Sequence, residues 1–126
     1  MKKRTILLVD DDLFMRELFA RGLRDKGFLV DTVPCAEDGL NQIYKNTPEL
    51  ILLDLLLPEK DGFCFLEEIK QKKSYKHIPV IILSNLGSQQ HIKRAINSGA
   101  ADFLIKSSFT IDEIISKVND FIEKNK

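Results

Sequence analysis

Asp10, Asp11 and Asp12 follow directly on the apolar run Ile6-Leu7-Leu8-Val9. Neighbouring carboxylates repel one another, so three of them at the end of a strand that reads as buried need something to offset the cost. Three other apolar runs end on residues of complementary chemistry: Asp54 in LILLDLLLP, Ser84 in VIILSN and Lys106 in FLIKSS. Parallel strands would bring these ends to one rim, where the carboxylates of Asp10, Asp11 and Asp54 meet a hydroxyl and an ammonium group. Carboxylate oxygens hold hard divalent cations, and Mg²⁺ accepts a few carboxylates together with water and phosphate oxygens. With such a cation bound, Asp54 can serve as a carboxylate nucleophile toward a phosphoryl group, forming an acyl phosphate. Ser84 would then donate a hydrogen bond and Lys106 supply positive charge to the phosphoryl oxygens. Asp12, one position further on, suits the N-cap of a following helix and its positive dipole end.

Strands must deliver these residues, and the strand candidates are Thr5 to Val9, Phe28 to Val33, Leu50 to Leu53, Val80 to Leu83 and Ala101 to Ile105. Helical periodicity lies between them. Leu18, Phe19 and Leu23 mark a first helix ending at Gly27, and Leu40, Ile43 and Tyr44 a second that stops before Pro48. Phe65, Leu66 and Ile69 mark a third, and Ile92, Ala95 and Ile96 a fourth that ends near Gly99. In the last, Ile111, Ile114, Ile115, Val118, Phe121 and Ile122 share one face, and Thr110-x-x-Glu113 forms a capping box at its start. The first, third and fourth strands are nearly unbroken apolar runs, as a parallel sheet covered by helices on both faces requires. The second is interrupted by Asp31 and Thr32 and suits an edge. The expected architecture is α/β: a doubly wound, flavodoxin-like parallel sheet of five strands in the order 2-1-3-4-5 with five helices, the order being taken by analogy.

The chain of 126 residues suits a single domain, residues 1–126, with 44% hydrophobic residues for a core. Nineteen basic residues balance nineteen acidic ones, so no general charge draws the chain to nucleic acid or anionic lipid. Met1-Lys2-Lys3-Arg4 imitates the basic region of a signal peptide, but the apolar run behind it is too short for export, and no stretch is long enough to span a membrane. Cys35 and Cys64 have no metal-ligand spacing and read as reduced thiols, which together with the missing leader points to the cytoplasm. Lys70, Lys72, Lys73 and Lys76 with His77 read as a solvated helix end and loop, and His91 as an exposed helix residue.

The segments ILLVDDD, LILLDLLLPEKDG, PVIILSN and GAADFLIK, in this order, resemble the receiver domains of two-component response regulators over practically the whole chain. The resemblance implies that Asp54 is the phosphoacceptor. It implies further that Asp11 and Asp54 bind Mg²⁺ directly with the backbone carbonyl of Leu56, while Asp10 acts mainly through water. Ser84 and Lys106 match the hydroxyl and lysine that contact the phosphoryl group, and Phe103 the aromatic that moves with that hydroxyl on activation. The donor implied is a phosphohistidine on a histidine kinase or phosphotransfer protein, and output would pass to a protein partner at the fourth helix, fifth strand and fifth helix. Such a domain is a switch rather than a turnover enzyme, although it promotes its own phosphorylation and dephosphorylation. After Lys106 the chain has room for one helix, which fits a single-domain regulator or a receiver taken from a longer one.

Two departures stand out. Ser107 follows Lys106 where the family usually has a cis proline, which leaves the course of that loop open, and Leu56 and Leu86 are apolar at positions that influence phosphoryl lifetime. A haloacid-dehalogenase-type phosphatase also uses an aspartyl nucleophile but needs a second Asp two residues later, where Leu56 stands. A flavodoxin-like FMN carrier needs a hydroxyl- and glycine-rich phosphate loop after the first strand, where this chain has carboxylates. A binding module of the same fold that is never phosphorylated is the remaining alternative.

Overall fold

In the computed structural model, which describes residues 4–125, the chain alternates strand and helix throughout. Strands β1 (Thr5–Val9), β2 (Leu29–Val33), β3 (Leu50–Leu53), β4 (Val80–Ser84) and β5 (Asp102–Ile105) form one sheet in the order β2-β1-β3-β4-β5, every pairing parallel. Helices α1 (Leu13–Asp25), α2 (Ala36–Lys45), α3 (Gly62–Gln71), α4 (Gln89–Asn97) and α5 (Ile111–Lys124) join them, with a short 3₁₀ turn over Lys106–Ser108. The basic start Met1-Lys2-Lys3 lies outside the described residues.

Alternation of side chains across the strands divides the core in two. Leu7, Val9, Ile51, Leu53, Val80 and Ile82 pack on one face with Ile43 of α2 and Phe65, Leu66 and Ile69 of α3. Ile6, Leu8, Leu50, Leu52, Ile81 and Leu83 pack on the other with Phe19 and Leu23 of α1 and Ile114, Ile115 and Val118 of α5. Both faces are covered, which is why these three strands read as unbroken apolar runs. At roughly 1.5–3 kcal/mol for each fully buried large apolar side chain, these two layers supply the main force holding the strand ends in place.

The helix termini are set locally. The Asp12 side chain accepts a hydrogen bond from the Met15 N–H and starts α1, as its position suggests. Asp61 does the same for α3 through Cys64 N–H, Ser88 for α4 through His91 N–H, and Thr110 and Glu113 close the capping box of α5. Gly27, with φ +97°, turns the chain out of α1 in a conformation that other residues rarely adopt.

Several side chains depart from the sequence reading. Tyr44 is 84% exposed rather than part of the α2 core face, and Ile96 is 45% exposed on α4. His91 is half-buried because its ring stacks on Phe63. Lys70 is not solvated like its neighbours: its ammonium donates to the carbonyls of Lys76 and Ile78 at 3.1 and 2.7 Å and so closes the loop after α3. Burial pushes the Lys70 ammonium below its ordinary pKa. The β2 edge is as expected, with Leu29 half exposed on it.

Candidate functional site

The switch point of the strand order falls between β1 and β3, and the carboxyl ends of β1, β3, β4 and β5 meet there. Asp10 follows β1, Asp54 follows β3, Ser84 ends β4 and Lys106 follows β5. Asp10, Asp54 and Ser84 are buried, at 1%, 7% and 0% exposure, whereas Asp11 is exposed.

Every carboxylate oxygen of the buried pair has a donor. Lys106 Nζ bridges Asp10 Oδ2 at 2.7 Å and Asp54 Oδ2 at 2.8 Å. Ser84 Oγ donates to Asp54 Oδ1 at 2.7 Å, and Leu56 N–H donates to the same oxygen at 3.1 Å. Asp10 Oδ1 accepts from Asp12 N–H at 3.0 Å. Burial pushes the Asp10 carboxyl above its usual range, with the bonds from Lys106 and Asp12 offsetting part of the rise. For Lys106 burial works against the charged form, but the bonds to Asp10 and Asp54 outweigh it and hold the ammonium above its ordinary pKa.

Asp10, Asp11 and Asp54 each offer an oxygen within 4.8 Å of the others. A set of three carboxylates at that spacing suits a hard divalent cation with oxygen ligands, so the residues present fit the metal that the sequence implies. Leu56 stands at the rim beside them, 55% exposed. Phe103 lies on β5, paired with Ile82, and packs partly buried against the α2/α3 layer together with Leu57 and Leu86.

Glycine is required where α3 begins. A Cβ on Gly62 would lie 2.5 Å from the Asp54 carbonyl oxygen and 2.6 Å from Leu55 Cα, and the Gly62 N–H donates to Leu55 O at 3.0 Å. The start of α3 is therefore pressed flush against the peptide that bears Asp54.

Two contributors escape a reading by motif. Arg16 of α1 donates from Nη1 to the Asp10 carbonyl at 2.8 Å and steadies the turn between Asp10 and Asp12, and its Nε is buried without a partner among the described residues. Its only sequence signal is its place one helical turn beyond Asp12. Asn85, directly after Ser84, accepts from the Ser107 N–H at 2.9 Å, a contact for which the sequence carries no pattern. A groove of about 500 Å³ lies at the opposite, amino ends of the strands between Arg4, Pro48, His77, Ile78, Phe121 and Ile122, and contains none of the predicted site residues. No helix among the described residues is long and apolar enough to cross a membrane.

Comparison with known proteins agrees with this geometry. The family described as response regulator receiver domain matches residues 6–119. The chemotaxis protein CheY of Bacillus subtilis (strain 168) is 37% identical over 117 residues, covering 90% of this chain and 93% of that protein. The transcriptional regulatory protein HprR of Escherichia coli (strain K12) is 34% identical over 113 residues, covering 90% of this chain but 49% of that protein. The chain thus spans about half the length of several of the regulators it matches. Among solved structures, the Mn²⁺-bound form of response regulator Rcp1 superposes with a TM-score of 0.84 at 27% identity, covering 94% of this chain and 93% of that one. A doubly wound sheet in this order, an aspartate triad at its switch point and a match over nearly the whole length lead to one assignment: the chain belongs to the response regulator receiver domain family.

Proposed function

We propose that the chain is a phosphoacceptor switch of a two-component or phosphorelay system, with Asp54 as the residue that receives the phosphoryl group. The observation that carries this reading is the dress of the Asp54 carboxylate: Ser84 and Leu56 N–H on one oxygen, Lys106 on the other, and Asp10 and Asp11 alongside. In the transfer, an Asp54 oxygen forms a bond to phosphorus while the bond from phosphorus to the donor nitrogen breaks, and the leaving imidazole keeps that electron pair. Lys106, already held between Asp10 and Asp54, is placed to neutralise phosphoryl oxygens, and Ser84 to donate to one. Asp11 and Asp54 with the Leu56 carbonyl would hold Mg²⁺ directly and Asp10 through water. The bound ion supplies positive charge to the phosphoryl oxygens and relieves the repulsion within the triad. The Mn²⁺ in the related Rcp1 structure supports a divalent ion.

The donor is a histidine kinase or histidine phosphotransfer protein of the cytoplasm. Ser84, drawn toward the phosphoryl group, and Phe103, moving into the space it leaves, would shift the surface formed by α4, β5 and α5, where a downstream protein binds. The test is mass spectrometry after treatment with a small-molecule phosphodonor. The parent should gain one phosphoryl group when Mg²⁺ is present and none without it, and Asp54→Ala should gain none. Persistent labelling of Asp54→Ala would overturn the assignment.

A further inference from the structure

Residues on either side of Lys106 are tied to the loop that follows Ser84. On one side, the Ser107 N–H donates to Asn85 Oδ1 at 2.9 Å across 22 positions of sequence. On the other, Gly87 sits so close to Ile105 that a Cβ at 87 would lie 2.6 Å from Ile105 Cδ1 and 2.9 Å from Cγ1. Between these two contacts the strands are already in register, Ser84 opposite Ile105, and the Leu86 N–H donates back to Ser84 Oγ at 3.3 Å. Lys106 is thus bracketed: the residue before it is packed under Gly87 and the residue after it is hydrogen-bonded to Asn85. The bond depends on a free backbone N–H at 107, which serine has and proline lacks.

We propose that Asn85 is a positioning residue, and that the segments 85–87 and 105–107 form a clasp that makes Ser84 and Lys106 move as one unit. Lys106 spans from β5 to both Asp10 and Asp54, and a small swing of its backbone would carry the ammonium off one of them. The clasp limits that swing from the β4 side. It also gives the hydroxyl, at the end of β4, and the ammonium, just beyond β5, a shared displacement when either is drawn toward a phosphoryl group. Only this last consequence rests on the phosphoacceptor reading; the clasp itself is a property of the unmodified protein.

The test uses the unmodified chain first. Asn85→Ala removes the acceptor, Ser107→Pro removes the donor, and Asn85→Asp keeps an acceptor in place. Amide exchange at Ser107 and acylation of the Lys106 amine by a water-soluble succinimidyl ester, followed by peptide mapping, report the bond and the freedom of the ammonium. Loss of one such bond should raise both by roughly three- to tenfold in Asn85→Ala. Ser107→Pro should raise Lys106 acylation to the same degree, and the double variant no further than either single one, because both changes break one contact. Asn85→Asp should restore most of the parent value. Small-donor labelling of Asp54 should then slow by a similar factor in Asn85→Ala while its Mg²⁺ midpoint stays at the parent value, a split that a merely structural role would not give. Parent-like Lys106 acylation in Asn85→Ala, or additive effects in the double variant, would overturn the clasp. A parent that takes no label at all would defeat the phosphoacceptor reading while leaving the acylation result to decide the clasp.

Discussion

Helices α4 and α5 flank the same edge strand, β5, yet they are attached by different forces. Along α5, Ile114, Ile115, Val118 and Ile122 are buried, and the capping box of Thr110 and Glu113 closes its first turn. Along α4, Ala95 is the buried residue. Besides its packing on β5, α4 makes a group of contacts with α3: the Arg94 guanidinium 4.0 Å from the centre of the Phe63 ring, the His91 ring stacked on the same Phe63, and an Arg94–Glu67 ion pair at 3.6 Å between half-exposed side chains. Buried area gives α5 an attachment worth several kcal/mol, whereas exposed ion pairs and cation–π contacts contribute about 1 kcal/mol or less each. One helix of the proposed output surface is thus fixed and the other can be re-seated at small cost, which is the property an adjustable surface needs.

The strongest test of this contrast is truncation on both helices. Ile115→Ala, at a site 3% exposed, should lower the free energy of unfolding in denaturant by about 2–5 kcal/mol, and Ile96→Ala, at 45% exposure, by less than about 0.5 kcal/mol. Equal losses would erase the distinction. A smaller effect is expected from the caps. Thr110→Ala should reduce global stability by about 1 kcal/mol, while Ser88→Ala should act locally, speeding amide exchange over residues 89–97 and leaving α5 protected. Smallest of all, Arg94→Gln removes the cation from Phe63 and Glu67, and the loss of about 0.5–1 kcal/mol should quicken exchange in α4 by roughly two- to fivefold. An α4 whose exchange is indifferent to Arg94 would be held by something other than these contacts.

The uneven grip on α4 also marks where the sequence could and could not be read. Unbroken apolar runs announced β1, β3 and β4 because both of their faces are buried, and the residues just beyond them announced the site because parallel strands share an end. Asp12 and Thr110 were legible as caps because capping is chemistry within four residues. Periodicity was less informative for α4 and for Tyr44, since an apolar residue at helical spacing is no guarantee that another element covers it. Least legible were long side chains reaching across the fold. That Lys106 would bridge two carboxylates at once, that Lys70 would cap a loop and that Asn85 would meet Ser107 depend on distances set by the packed sheet.

The seating of Gly62 has a directional consequence. Because atoms of α3 already touch the Asp54–Leu55 peptide, with no room for even a methyl group between them, the proposed phosphoacceptor has a wall at its back. An acidic residue that gains a bulky charged group recoils or pulls, and here recoil toward α3 is closed. The displacement is left to the other side, where the partners of Asp54 are the Ser84 hydroxyl at the end of β4 and the Lys106 ammonium just beyond β5. On the proposed phosphorylation of Asp54, displacement would therefore be directed toward β4 and β5, the side on which α4, with Ala95 as its buried residue, packs.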